Sequence, residues 1–123
     1  MSILHPVIKK FSAEKEYYFE EGCHIVEVSN STDDDEVSIV QARVEPGQQT
    51  KWHRLLNTTE RYVIVQGSGR VEISDREPVN ISPGDVVIIP AGARQKITNI
   101  GDNDLKFLAI CSPPFKKSNY LQE

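Results

Sequence analysis

His53 and Glu60 stand seven residues apart in the stretch "KWHRLLNTTERYVIVQGSG". Imidazole and carboxylate are side chains that exchange protons near neutral pH or hold divalent transition metals. Either use requires both groups to be brought to one place inside the molecule. Side chains alternate along a strand, so His53 and Leu55 share one face, as do Glu60 and Tyr62. Tyr62 is therefore positioned to offer its hydroxyl beside Glu60. Burying an ionised, unpartnered Glu60 costs roughly several kcal/mol, so it needs a metal, a protonated His53, an amide donor or water.

The elements that must position these groups read as strands. "HIVEVSN" (24–30) and "VSIVQARV" (37–44) alternate, and "YVIVQG" (62–67) and "GRVEIS" (69–74) flank a Gly-Ser-Gly turn, which predicts a hairpin. "DVVIIP" (85–90) is nearly continuous apolar sequence and predicts a strand covered on both sides. "RQKITNI" (94–100) and "LKFLAICS" (105–112) are joined by "GDND", a tight turn. The central portion holds no amphipathic helix. "SAEKEYYFEE" (12–21) is expected to form one or two helical turns. Short strands punctuated by Gly and Pro predict an all-β sandwich or barrel.

At 123 residues the chain suits one domain spanning 1–123, with a core of its own. Its net charge of −4 is mild, and the acidic run "STDDDE" at 31–36 reads as a solvated loop. Basic residues are not clustered with aromatics, which argues against nucleic-acid binding. The start, "MSILHPVIKKFS", has no apolar stretch of signal-peptide type, and no membrane span is expected. Two cysteines, Cys23 and Cys111, make no disulfide framework; a cytoplasmic protein is expected. His24 and His5 have no spaced partners.

Two segments carry a more specific pattern. The first runs Gly47, five residues, His53, Glu60, Gly67; the second, "GDVVIIPAGARQKITN", gives Gly84, five residues, Pro90, Gly92, Gln95 and Asn99. Together they resemble the paired motifs of the cupin superfamily, G-x5-H-x-H-x3,4-E-x6-G and G-x5-P-x-G-x2-H-x3-N. "WHRL", "TTERY", "RQKITN" and "CSPPF" are similar to small single-domain bacterial cupins. The resemblance implies a double-stranded β-helix (jelly-roll) barrel, with the barrel motifs at about 37–112, and a homodimer. It places the face carrying His53, Leu55, Glu60 and Tyr62 inside the barrel.

The family's four metal-ligand positions fall on His53, Leu55, Glu60 and Gln95. Leu55 cannot ligate, and Gln95 offers only a neutral amide oxygen. The implied site is therefore His53, Glu60 and Gln95 around Zn, Mn, Fe or Ni, with Leu55, Tyr62 and Gln95 facing a small-molecule ligand. Three functions remain open. The first is a metal-dependent dioxygenase or isomerase using Glu60 and His53. The second is a non-catalytic binding or sensing protein with a degenerate metal site. The third is a metal-free acid–base enzyme. Trp52 and Arg54 alternate with His53 and face outward, as expected of a dimer contact or of packing beneath the N-terminal segment.

Overall fold

The computed structural model describes residues 4–123. Eleven strands follow in order: β1 Tyr17–Phe19, β2 Cys23–Ser29, β3 Ser38–Val44, β4 His53–Leu55, β5 Thr59–Gln66, β6 Gly69–Ile73, β7 Val79–Ile81, β8 Val86–Ile89, β9 Gln95–Asn99, β10 Leu105–Ser112 and β11 Tyr120–Gln122. Helical structure among the described residues is limited to 3-10 turns at Ala13–Lys15 and Lys117–Asn119. The strands form two antiparallel sheets, ordered β1-β2-β3-β10-β5-β8 and β11-β4-β9-β6-β7. This is the expected jelly-roll, and alternation explains how it closes. Along β10, every second residue from Leu105 to Cys111 is buried, and β9 buries Gln95, Ile97 and Asn99 in the same rhythm.

The core lies between the two inner faces. Ile64, Ile89, Ile97, Leu105 and Val44 are almost wholly enclosed there, each worth about 2–3 kcal/mol of apolar burial. Asn99, the last residue of the second motif, is structural. Its amide donates to the carbonyls of Val44 and Asn103, both at 2.8 Å, and its oxygen accepts from Gly101 N at 2.9 Å. The motif asparagine thereby closes the turn from β9 into β10.

Three local expectations are corrected. First, β5 and β6 do not form a hairpin. β5 pairs with β10 and β8, whereas β6 pairs with β7 and β9. The Gly-Ser-Gly segment hands the chain from one sheet to the other. Gly67 makes this crossing at φ +89, where a Cβ would meet Asp104 O at 2.7 Å, so the glycine serves close backbone approach. Second, β8 is covered on one side only. Val87 and Ile89 are buried, but Val86 and Ile88 are 58% and 64% exposed on the outer face of an edge strand. Third, only Ala13–Lys15 of the 12–21 segment is helical; Tyr17–Phe19 is a strand paired with β2.

Candidate functional site

The inner face of the six-stranded sheet lines a cavity of ≈ 50 Å³ that opens to solvent. Its walls come from alternate residues: Tyr17, Phe19, Glu21, Cys23, Ile25 and Glu27 along the β1–β2 hairpin, then Ser38, Val40 and Ala42 of β3. Glu60 and Tyr62 of β5 and Phe107, Ala109 and Cys111 of β10 complete it, and Phe115 closes over one side. Phe115 is held by its backbone N–H, which donates to Ser38 Oγ at 2.9 Å.

Glu60, Gln95 and Tyr62 come together as the sequence predicts. Gln95 opens β9, opposite His53 of β4 in the other sheet, and its side chain crosses to β5. Its Nε2 donates to Glu60 Oε1 at 2.8 Å, and its Oε1 accepts from the Tyr62 hydroxyl. Tyr62 thereby fixes which way round the amide sits, and the amide fixes one oxygen of Glu60. The other oxygen, Oε2, has the weak Cys111 Sγ donor at 3.9 Å, and the Glu60 side chain lines the cavity. Burial, then the nearby Glu21 carboxyl, pushes the Glu60 pKa up to about 7, against the pull of Gln95 and His53.

His53 is buried in β4, but its ring nitrogens do not go to Glu60. Nδ1 lies 2.7 Å from the carbonyl of Lys51, and Nε2 lies 3.1 Å from Glu21 Oε2. A carbonyl only accepts, so Nδ1 carries hydrogen. Burial lowers the His53 pKa, and the same effect raises that of Glu21 to about 7. With Nδ1 holding its hydrogen, the Nε2–Glu21 contact is a hydrogen bond whenever one proton lies between the two groups. Tyr120 stacks on the His53 ring, centroids 5.3 Å apart. The Tyr120 hydroxyl is buried without a hydrogen-bond partner among the described residues.

Glu21 is the functional group that sequence reasoning missed. It sits in the turn between β1 and β2, where Lys51 N donates to its carbonyl at 2.7 Å. The turn needs Gly22 at φ +108, because a Cβ there would strike Gln49 O at 2.8 Å. The available signal was the two-residue rhythm Tyr17, Phe19, Glu21, Cys23, Ile25, which a helical reading of 12–21 hides.

Leu55 is buried on the same face as His53, as expected, but it does not line the cavity, nor do His53 and Gln95. Trp52 and Arg54 face outward and find partners within the chain. The Arg94 guanidinium lies 4.5 Å over the Trp52 ring, and Arg54 pairs with Glu123. Trp52 therefore packs beside Arg94 and Lys96. His24 pairs with Glu45 at 3.0 Å, and His5 is exposed.

The donors do not fit the metal that the motif implies. Leu55 supplies none, both ends of the Gln95 amide are engaged by Tyr62 and Glu60, and His53 Nε2 faces Glu21. Among the described residues, no three His, Cys, Asp or Glu side chains are grouped so as to hold a metal ion. What the arrangement offers instead is proton chemistry: two enclosed carboxyls, each near half-protonation at neutral pH, facing one cavity.

Known proteins share this architecture. An uncharacterised protein of Methanocaldococcus jannaschii is 35% identical over 78 residues, 63% of this chain and 62% of that one, so the match spans less than two thirds of that relative. Among solved structures, Pac13 of Streptomyces, a nucleoside dehydratase, superposes with TM-score 0.76 at 16% identity over 95% of this chain and 92% of that one. Lactobacillus farciminis oxalate decarboxylase gives TM-score 0.75 at 24% identity, covering 88% of this chain but 33% of that one. At these identities the likeness is one of fold. The profile of the cupin domain matches residues 40–111, more than half of the chain and both motif segments. By that match and by its two-sheet barrel, the chain belongs to the cupin family.

Proposed function

We propose that this cupin binds a small organic molecule in the cavity beneath Glu21 and Glu60 and moves a proton on it without a metal, as an isomerase or lyase does. The observation that carries the reading is the setting of Glu60. One oxygen is fixed by Gln95, the other meets the weak Cys111 donor, the side chain lines the cavity, and the pKa of about 7 lets the group give or take a proton at neutral pH. Glu21 supplies a second carboxyl, backed by His53 as a proton store. A neighbour of like fold that is a nucleoside dehydratase supports proton transfer as chemistry that this barrel can host.

The test is solvent proton exchange. A panel of small hydroxy and carbonyl compounds in heavy water, followed by NMR, is expected to reveal one whose C–H exchanges. Exchange should fall about 100-fold in Glu60→Gln and be indifferent to a chelator. Exchange that persists in Glu60→Gln, or that the chelator abolishes, defeats the reading.

The apolar walls and Leu55 in a ligand position favour a second reading, a binding or sensing cupin without catalysis. Ligand binding with no exchange for any compound in the panel would select it. The homodimer is also a proposal. The outward Val65, Val86 and Ile88 are all about half exposed or more, an apolar edge suited to a second copy. No helix among the described residues is long and apolar enough to cross a membrane; a cytoplasmic location is proposed from the unpaired Cys23 and Cys111.

A further inference from the structure

The cavity is chemically lopsided. Among the residues lining it, Glu21, Glu27 and Glu60 are acidic, and none is Lys, Arg or His. Five aromatic side chains share the wall with them: Tyr17, Phe19, Tyr62, Phe107 and Phe115. These rings are set at angles to one another. Phe19 and Phe115 meet edge to face with centroids 6.2 Å apart, and Tyr62 and Phe107 lie tilted at 4.4 Å. Glu27 stands at the mouth, where it accepts from the Tyr17 hydroxyl at 3.0 Å, and Glu21 and Glu60 lie deeper.

We infer that the ligand of this cavity is an organic cation, an amine or quaternary ammonium on an apolar body, held by the Glu21 and Glu60 carboxylates and the surrounding aromatic faces. The inference rests on the cavity being the binding site, as proposed above, and adds the sign of its ligand. An organic anion would pass Glu27 at the mouth and then face Glu21 and Glu60, with no basic side chain on the cavity wall and His53 engaged behind Glu21. A cation resolves both features together. It neutralises the enclosed carboxylates, and it draws on the negative faces of the rings. The mouth contributes as well, because Glu27 steers positive charge inward and repels carboxylates and phosphates. Ile25, Val40, Ala42 and Ala109, with Cys23, Cys111 and Ser38, leave the rest of the wall uncharged and mostly apolar, and the cavity opens to solvent where the apolar body can extend.

The experiment is calorimetric titration of the purified protein at pH 8 with four probes of one shape: benzyltrimethylammonium, benzylammonium, benzyl alcohol and benzoate. The two cations are expected to bind at least about tenfold more tightly than the alcohol, and benzoate more weakly than either. Glu21→Gln and Glu60→Gln, checked for native circular dichroism, should each weaken the cations about tenfold and leave the alcohol nearly unchanged. Since the probe series is read on the wild type, the result stands even if a variant fails to fold. Benzoate or benzyl alcohol binding as tightly as the cations overturns the charge inference while leaving the cavity as a binding site. Cation affinity unmoved in both variants also overturns it. Failure of all four probes removes this inference together with the binding reading beneath it.

Discussion

The Gln95 amide nitrogen donates to Glu60 at 2.8 Å across the two sheets, while the same side chain's oxygen is held by Tyr62. A position that the family motif gives to a metal-binding imidazole is here a spacer between a phenol and a carboxyl. The difference matters because a spacer of this kind orients Glu60 without supplying charge, and the carboxyl is left free to titrate.

The consequence for pH follows from the sign of the shift. Glu60 has a pKa of about 7 in the fold against 4.5 ordinarily, so between those values the native state holds more protons than the unfolded chain. Its contribution is full below about 4.5 and is lost as pH rises through about 7. His53 acts oppositely: burial lowers its pKa, so its contribution is present above its unfolded value and lost as pH falls through the folded one. Comparing Glu60→Gln with wild type at each pH reads the Glu60 titration together with its coupling to His53 and Glu21. The variant is expected to gain roughly 2–3 kcal/mol relative to wild type between pH 5 and pH 8, read by urea denaturation. A pH-independent difference would show that Glu60 titrates normally.

Tyr62→Phe removes one donor and leaves the Gln95 oxygen buried without it. A loss of about 1–2 kcal/mol is expected in the same denaturation assay. Gln95→Leu strips Glu60 of its amide donor and should raise the Glu60 pKa further, visible by carbon NMR of the carboxyl. An unmoved carboxyl titration in Gln95→Leu would mean that the amide does not restrain it.

Restoring the motif tests the fit of the metal. The double variant Leu55→His with Gln95→His supplies four ligand positions, and it is expected to bind one nickel or zinc ion at least about 100-fold more tightly than wild type, by titration calorimetry. Equal affinity in both proteins would show that the resident donors already suffice.

The edge strand β8 gives a prediction about assembly. Val86→Lys with Ile88→Lys puts two charges on the exposed apolar face, and a dimer there should dissociate at micromolar concentration in sedimentation analysis. A wild-type protein that is monomeric under those conditions removes the homodimer altogether.

The barrel was legible because its motif residues do backbone work that leaves few alternatives. Asn99 must close the turn into β10, and Gly67 must let the chain pass Asp104. The meeting of Glu60, Tyr62 and Gln95 was legible for the same reason, since strand alternation and the motif register put them on inner faces. Pairing was harder to read. A Gly-Ser-Gly turn looks the same whether it folds a strand back on itself or passes it to a facing sheet, and only the long-range ladders of β5 and β6 decide. The apolar run of β8 likewise cannot say that Val86 and Ile88 face outward, because that depends on the strand's place at the sheet edge. Glu21 was hidden by its neighbours: the charges of 12–21 suit a helix turn, while the pairing of Tyr17–Phe19 with β2 makes it a strand.

Glu21 also lies outside residues 40–111, the part that defines the family, and so does every wall residue of the β1–β2 hairpin. The matched segment carries Glu60, and the β1–β2 ribbon, latched through Lys51, brings Glu21 and Glu27. The charge that the cavity presents is therefore set mainly by a ribbon outside the matched segment. Exchanging that ribbon between relatives, rather than altering the barrel, is the economical way to redirect what the cavity accepts.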